Sequence, residues 1–167
     1  MNRKIKFIVE GALIAAAYIG LTMISNLLNL AFGPIQLRIS EALTVLPVFT
    51  PAAIPGLVLG CFISNIISPM GAVDMIFGTG ATLAAAVLTY LLRKVCVKGL
   101  PVLSFLSPVV LNAVIIGLEI DIFFLPEGAA VWGFVSSAAT VGLGELAACF
   151  LLGVPLFYAV KRYRIFR

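Results

Sequence analysis

Six apolar runs dominate this chain, at about residues 7–30, 37–50, 52–68, 74–92, 102–118 and 133–160, and very little charge falls inside them. A membrane-crossing helix needs about 20 predominantly apolar residues, within a range of about 17–25. The first, fourth and fifth runs fit that length directly, and the sixth is more than long enough. Hydrophobic residues make up 62% of the 167 positions and charged residues 11%, against about 25% charged in soluble domains. Lipid is therefore the solvent this fold must satisfy, and the expected class is an all-α integral membrane protein forming a single domain over residues 1–167. The basic start "MNRKIKF" followed by an apolar stretch has the outline of a signal peptide, but the stretch is too long for one and reads as a first membrane helix.

The second and third runs are harder. In "ALTVLPVFTPAAIPGLVLGCFISNIIS", Pro47, Pro51 and Pro55 interrupt a stretch too long for one upright helix and too short for two full ones. Proline removes a backbone donor and kinks or ends a helix, so the chain is expected to reverse near Thr50 and Pro51. Charge supports that count. Cytoplasmic loops carry the excess of Lys and Arg, and with six helices the clusters Arg3/Lys4/Lys6, Arg93/Lys94/Lys98 and Lys161/Arg162/Arg164/Arg167 all share one side, leaving Arg38 alone opposite. The expectation is six transmembrane helices with both termini cytoplasmic and a short or tilted second helix. No internal repeat of the kind many secondary carriers show is visible.

Several chemistries are disfavoured. Histidine is absent, which removes the commonest general base near neutral pH and the commonest metal ligand. Cys61, Cys96 and Cys149 are too widely spaced for a metal or redox pair. "GTGATL" at residues 78–83 lacks the lysine of a phosphate-binding loop, so no ATP site is expected in this chain. Neither catalysis nor a bound metal is expected.

With that orientation Glu41, Asp74, Glu119, Asp121 and Glu127 fall at or near the outer face with Arg38. A negative mouth suits a cationic or donor-rich ligand, because carboxylates only accept; for Asp121 and Glu127 the expectation is solvated loop charges. Asn65, Thr79 and Asn112 fall at one depth below it, where they either bond one another or line a cavity. Glu145 lies deeper, mid-way along the sixth run, where an acid costs about 2.5–3.5 kcal/mol on insertion scales and needs a partner. In the first run Ala12, Ala16 and Gly20 recur every four residues, a flat stripe suited to close helix packing within or between chains. Glu10 is expected to pair with Lys6.

The stretches "FGPIQLRISEALTVLP", "PAAIPGLVLGCFISN" and "DMIFGTGATLAAAVLTYLLRK", with the stripe of the first run, resemble the queuosine-precursor (QueT-type) S components of energy-coupling factor transporters. The resemblance implies a six-helix subunit that captures a 7-deazaguanine from outside. It also implies delivery through a module of one transmembrane protein and two ATPases, which use the ATP. By the same resemblance Ala12 and Ala16, with Gly20 of that stripe, dock the transmembrane partner. Arg38 and Glu41, three apart, share a helix face. They either form a local ion pair or address a deazaguanine edge, the arginine donating to the carbonyl and the carboxylate accepting from ring N–H and amine. Candidate ligand contacts are Arg38, Glu41, Asn65, Asp74, Thr79, Asn112, Glu119 and Glu145. An ion-coupled carrier, or an S component for another vitamin-like molecule, is the alternative.

Overall fold

The computed structural model describes residues 2–31, 36–125 and 131–166, and among them it is all-helical, without a strand. Helix α1 (Arg3–Leu27) begins where the Asn2 side chain accepts from the Lys4 amide. A 3-10 helix, Ile39–Val48, follows, then α2 (Ala53–Asn65), α3 (Ala72–Leu92) and α4 (Val102–Phe123). The last segment runs as α5 (Val131–Ala147), a π turn (Ala148–Leu152) and α6 (Gly153–Tyr163), together one helix of 33 residues. Among the described residues four helices are long and apolar enough to cross a membrane: α1, α3, α4 and the continuous last one. The 3-10 helix and α2 are short apolar elements, each covering about 20 Å by their rises of ~2.0 and ~1.5 Å per residue.

The expected reversal falls at Thr50–Ala52. The Thr50 hydroxyl accepts from the Ala52 amide at 3.3 Å and donates to Glu10 Oε2 at 2.7 Å, and Glu10 also pairs with Lys6 at 3.7 Å. Neighbouring segments alternate in direction. Ser25 meets Ile39 while Glu10 meets Thr50, Cys61 meets Thr82, and Thr89 meets Ser104. The described residues of the three basic clusters therefore gather at one end of the bundle, and Arg38 sits at the other.

The second run differs from a lipid-facing helix. Every residue from Ser40 to Pro47 is buried, because the 3-10 helix runs through the middle of the bundle, touching α1, α2, α3, α4, α6 and the π turn. Close approaches hold it there. A Cβ on Gly56 would lie 2.6 Å from the Gly11 carbonyl oxygen, and one on Gly144 would lie 2.0 Å from that of Gln36. Glycine thus lets α2 press on α1 and lets residues 36–37 pass against α5.

Polarity is distributed as lipid demands. Ile8, Leu13, Ile76, Leu91, Trp132, Leu143 and Leu151 are exposed, whereas Arg38, Glu41, Asn65, Asp74, Asn112, Glu119 and Glu145 are buried. Such residues in membrane helices face the bundle interior. Towards the basic end the interior is apolar instead, built around Leu46, Phe105 and Phe157, with Phe157 ring centroids 5.1 Å from Phe49 and 6.0 Å from Phe105.

Candidate functional site

Residues three apart in a 3-10 helix eclipse one another, so Arg38, Glu41 and Thr44 form one row at the head of the central helix. Tyr18, Thr22 and Ser25 of α1 fasten it. The Tyr18 hydroxyl donates to Glu41 Oε1, the Thr22 hydroxyl to Ser40 Oγ at 2.8 Å, and Ser25 Oγ accepts from the Ile39 amide at 2.9 Å.

From that head Arg38 reaches across the bundle. Its Nε donates to the Ala31 carbonyl, Nη1 to Asn65 Oδ1 and Nη2 to Asp74 Oδ2, each at 3.1 Å. Asn65 Nδ2 in turn donates to the Asp74 carbonyl at 2.9 Å, which locks the end of α2 to the start of α3. On the opposite wall Asn112 and Glu145 line the same cavity. The Cys149 thiol, one turn further, lies 3.9 Å from Glu145 Oε2 and 3.7 Å from the Thr44 hydroxyl.

These walls enclose a cavity lined by Gln36, Arg38, Glu41, Thr82, Asn112 and Glu145, with Gly78 and Ile116 completing it. Its free volume is about 10 Å³, about what one water needs, so in this conformation the polar groups close on one another. Their pairing is uneven. Glu41 Oε2, Asp74 Oδ1 and both oxygens of Glu119 are buried without a hydrogen-bond partner. Buried carboxylate oxygens are costly unless they receive donors, so the chemistry still missing around this cavity is hydrogen-bond donation or positive charge.

Of the expected ligand contacts Arg38, Glu41, Asn112 and Glu145 line the cavity, and Asn65 and Asp74 bond Arg38; three expectations differ from the structure. Arg38 forms its ion pair across the bundle with Asp74, because the 3-10 cap points it at α3. Thr79 does not line the cavity; α3 presents Gly78 and Thr82 there, and position 79 is turned about 100° from Gly78 by the helical period. Helix α4 continues to Phe123, so Asp121 is helical and buried, 3% exposed, rather than a solvated loop charge, and Glu119 of the same helix is 1% exposed. A methyl group on Gly133 would lie 2.2 Å from Asp121 Oδ1, which shows how closely α5 covers it. Glu127 lies outside the described residues. Sequence reasoning missed Tyr18, Gln36, Thr82 and Cys149. For Tyr18 a signal existed: Tyr18, Thr22 and Ser25 recur at helical spacing within an otherwise apolar run.

On the outside of α1, Ala12, Ala16 and Gly20 are exposed while Gly11 and Ala15 are buried, so the stripe forms part of the bundle's outer surface.

Residues 8–162 match the family described as QueT transporter. The chain is also 42% identical over 76 residues to a protein named queuosine precursor transporter QueT from Lactococcus lactis subsp. cremoris (strain MG1363). That stretch covers 46% of this chain and 44% of the relative, less than half its length. No solved structure matches the chain. The family match runs from the first turns of α1 to the last turn of α6, and the chain belongs to the QueT transporter family.

Proposed function

We propose that this chain is the substrate-capturing membrane subunit (S component) of an energy-coupling factor importer. In this reading it takes a 7-deazaguanine precursor of queuosine from the extracellular side. It releases the ligand when docked on a transmembrane partner with two ATPases. Family membership and the name carried by the Lactococcus relative support a queuosine-precursor transporter. The observation that carries the assignment of the site is the set of unpartnered carboxylate oxygens beside a cavity lined by Arg38, Glu41, Asn112 and Glu145. A deazaguanine base supplies what they lack, with a ring N–H and an exocyclic amine as donors and one carbonyl to accept from Arg38. Glu41 Oε2 and the Glu145 carboxylate take the donor edge. Binding then expands a cavity that is closed in the present packing, since small-molecule sites run to about 300–1,000 Å³.

The exposed Ala12, Ala16 and Gly20 stripe supports docking, because small residues let a partner helix approach backbone to backbone. Gathering of the basic clusters at one end supports cytoplasmic termini. Titration of the purified protein with 7-deazaguanines, guanine and a set of vitamins tests the reading. Tight binding confined to deazaguanines supports it, and selective binding of a vitamin replaces it.

A further inference from the structure

At the basic end of the bundle α6 closes on a left-handed residue. Lys161 and Arg162 lie in its last turn, and Arg164 caps it at φ 51°, a position that glycine normally takes. The backbone turns there and brings Phe166 back to the apolar core. Like Phe49, it packs against the buried cluster that contains Phe157 and Val160. Between the end of the 3-10 helix and the end of α6 this leaves a cleft of about 380 Å³, lined by Phe49, Val160, Lys161, Arg164 and Phe166. Lys161 Nζ lies 5.6 Å from the centroid of the Phe157 ring. Among the described residues neither Lys161 nor Arg164 has an ion pair. Glu10, the described acid at this end, is already engaged by Lys6 and the Thr50 hydroxyl. Two cations and no acid therefore line a cleft whose remaining wall is aromatic and aliphatic.

We infer that this cleft binds the head group of an anionic phospholipid, with the phosphate between Lys161 and Arg164 and the glycerol and first acyl carbons against Phe49 and Phe166. A guanidinium meets phosphate oxygens through paired N–H donors, and an ammonium adds a compact charge. Basic pockets between membrane helices, on the side where lysine and arginine collect, are suited to acidic head groups. The apolar wall favours an amphiphile over a free anion. A phosphate ion would leave Phe49, Val160 and Phe166 uncovered, whereas a lipid covers them and the cations together. Such an occupant ties the end of α6 to the chain that leaves the 3-10 helix. The site lies at the opposite end of the bundle from the polar cavity and does not depend on which ligand that cavity takes.

The test is native mass spectrometry of the purified full chain, released from micelles that contain phosphatidylglycerol and phosphatidylcholine in equal amounts. The wild type is expected to retain one phosphatidylglycerol in preference to phosphatidylcholine by about tenfold or more, each cation contributing about fivefold. Lys161→Gln combined with Arg164→Gln should bring the two lipids near parity. Lys94→Gln combined with Lys98→Gln removes equal charge from the same end but outside the cleft, and should leave the preference unchanged. Equal retention of both lipids by the wild type overturns the site. So does an equal loss of preference in the two double variants, which would make the attraction a property of the whole basic end. Displacement of the lipid by millimolar inorganic phosphate, or by an oligoglutamate peptide, also overturns it, in favour of a soluble anion or an acidic protein segment. The lipid comparison and both competitions use the wild type, so they decide the matter even should the cleft variant not fold.

Discussion

The two halves of this bundle are built from the same helices but stabilised by opposite means. Towards the basic end Phe49, Phe105 and Phe157 pack ring against ring in an apolar core, and the buried Thr89 and Ser104 hydroxyls there each donate to a backbone carbonyl. Towards the other end Arg38, Glu41, Asn65, Asp74, Asn112, Glu119 and Glu145 are buried together, with acceptors in surplus. Lipid gives little hydrophobic drive for helix association, so the apolar half must gain its stability from packing. The polar half retains unmet hydrogen-bonding demand that a ligand can meet. The central 3-10 helix belongs to both, with Glu41 in the polar half and Leu46 in the apolar one.

Substitutions test how separable the halves are. The largest expected effect on stability is Phe157→Ala, which removes a ring only 3% exposed and should cost about 3–5 kcal/mol, read by thermal unfolding in detergent. Affinity per folded molecule should not change, and a parallel loss of binding would show that the halves act as one. Gly144→Ala comes next. Its new Cβ, 2.0 Å from the Gln36 carbonyl oxygen, forces residues 36–38 to shift, with an overpacking cost of about 1–3 kcal/mol. Because Arg38 moves with them, affinity and stability should fall together; retained affinity would mean that this backbone contact does not position the site. Ala16→Leu has the smallest expected effect on both. Its side chain projects from the exposed face of α1, so stability should stay within about 0.5 kcal/mol and binding should persist. Cellular uptake and co-purification with the proposed ATPase module should drop. Normal uptake in that variant removes the docking role from the stripe.

The apolar half was more legible in the sequence than the polar one, for a physical reason. Run length and prolines located the helical segments and the turn at Thr50–Ala52, and local spacing found the Lys6–Glu10 pair. Which side chains meet across helices is not encoded in local spacing. Arg38 and Asp74 are 36 residues apart, and nothing near either position names the other. The 3-10 form of residues 39–48 was hidden because an element buried on every side carries no amphipathic period. The π turn at 148–152 left no pattern, since it breaks a helix by one residue within a uniformly apolar run. Acid burial was misjudged at Asp121 because α4 extends a full turn beyond the apolar run that announced it.

The central claim is that the polar half binds the ligand through oxygens now lacking donors, and Glu41→Gln tests it most directly. Glutamine keeps the shape and can still accept from the Tyr18 hydroxyl, but it presents an amide where Glu41 Oε2 stands unpartnered. In calorimetric titration with a 7-deazaguanine, affinity is expected to fall by about 1–3 kcal/mol, with a thermal midpoint close to that of the wild type. An affinity equal to wild type in a folded Glu41→Gln protein would contradict the claim and leave Glu41 as a structural anchor for Tyr18.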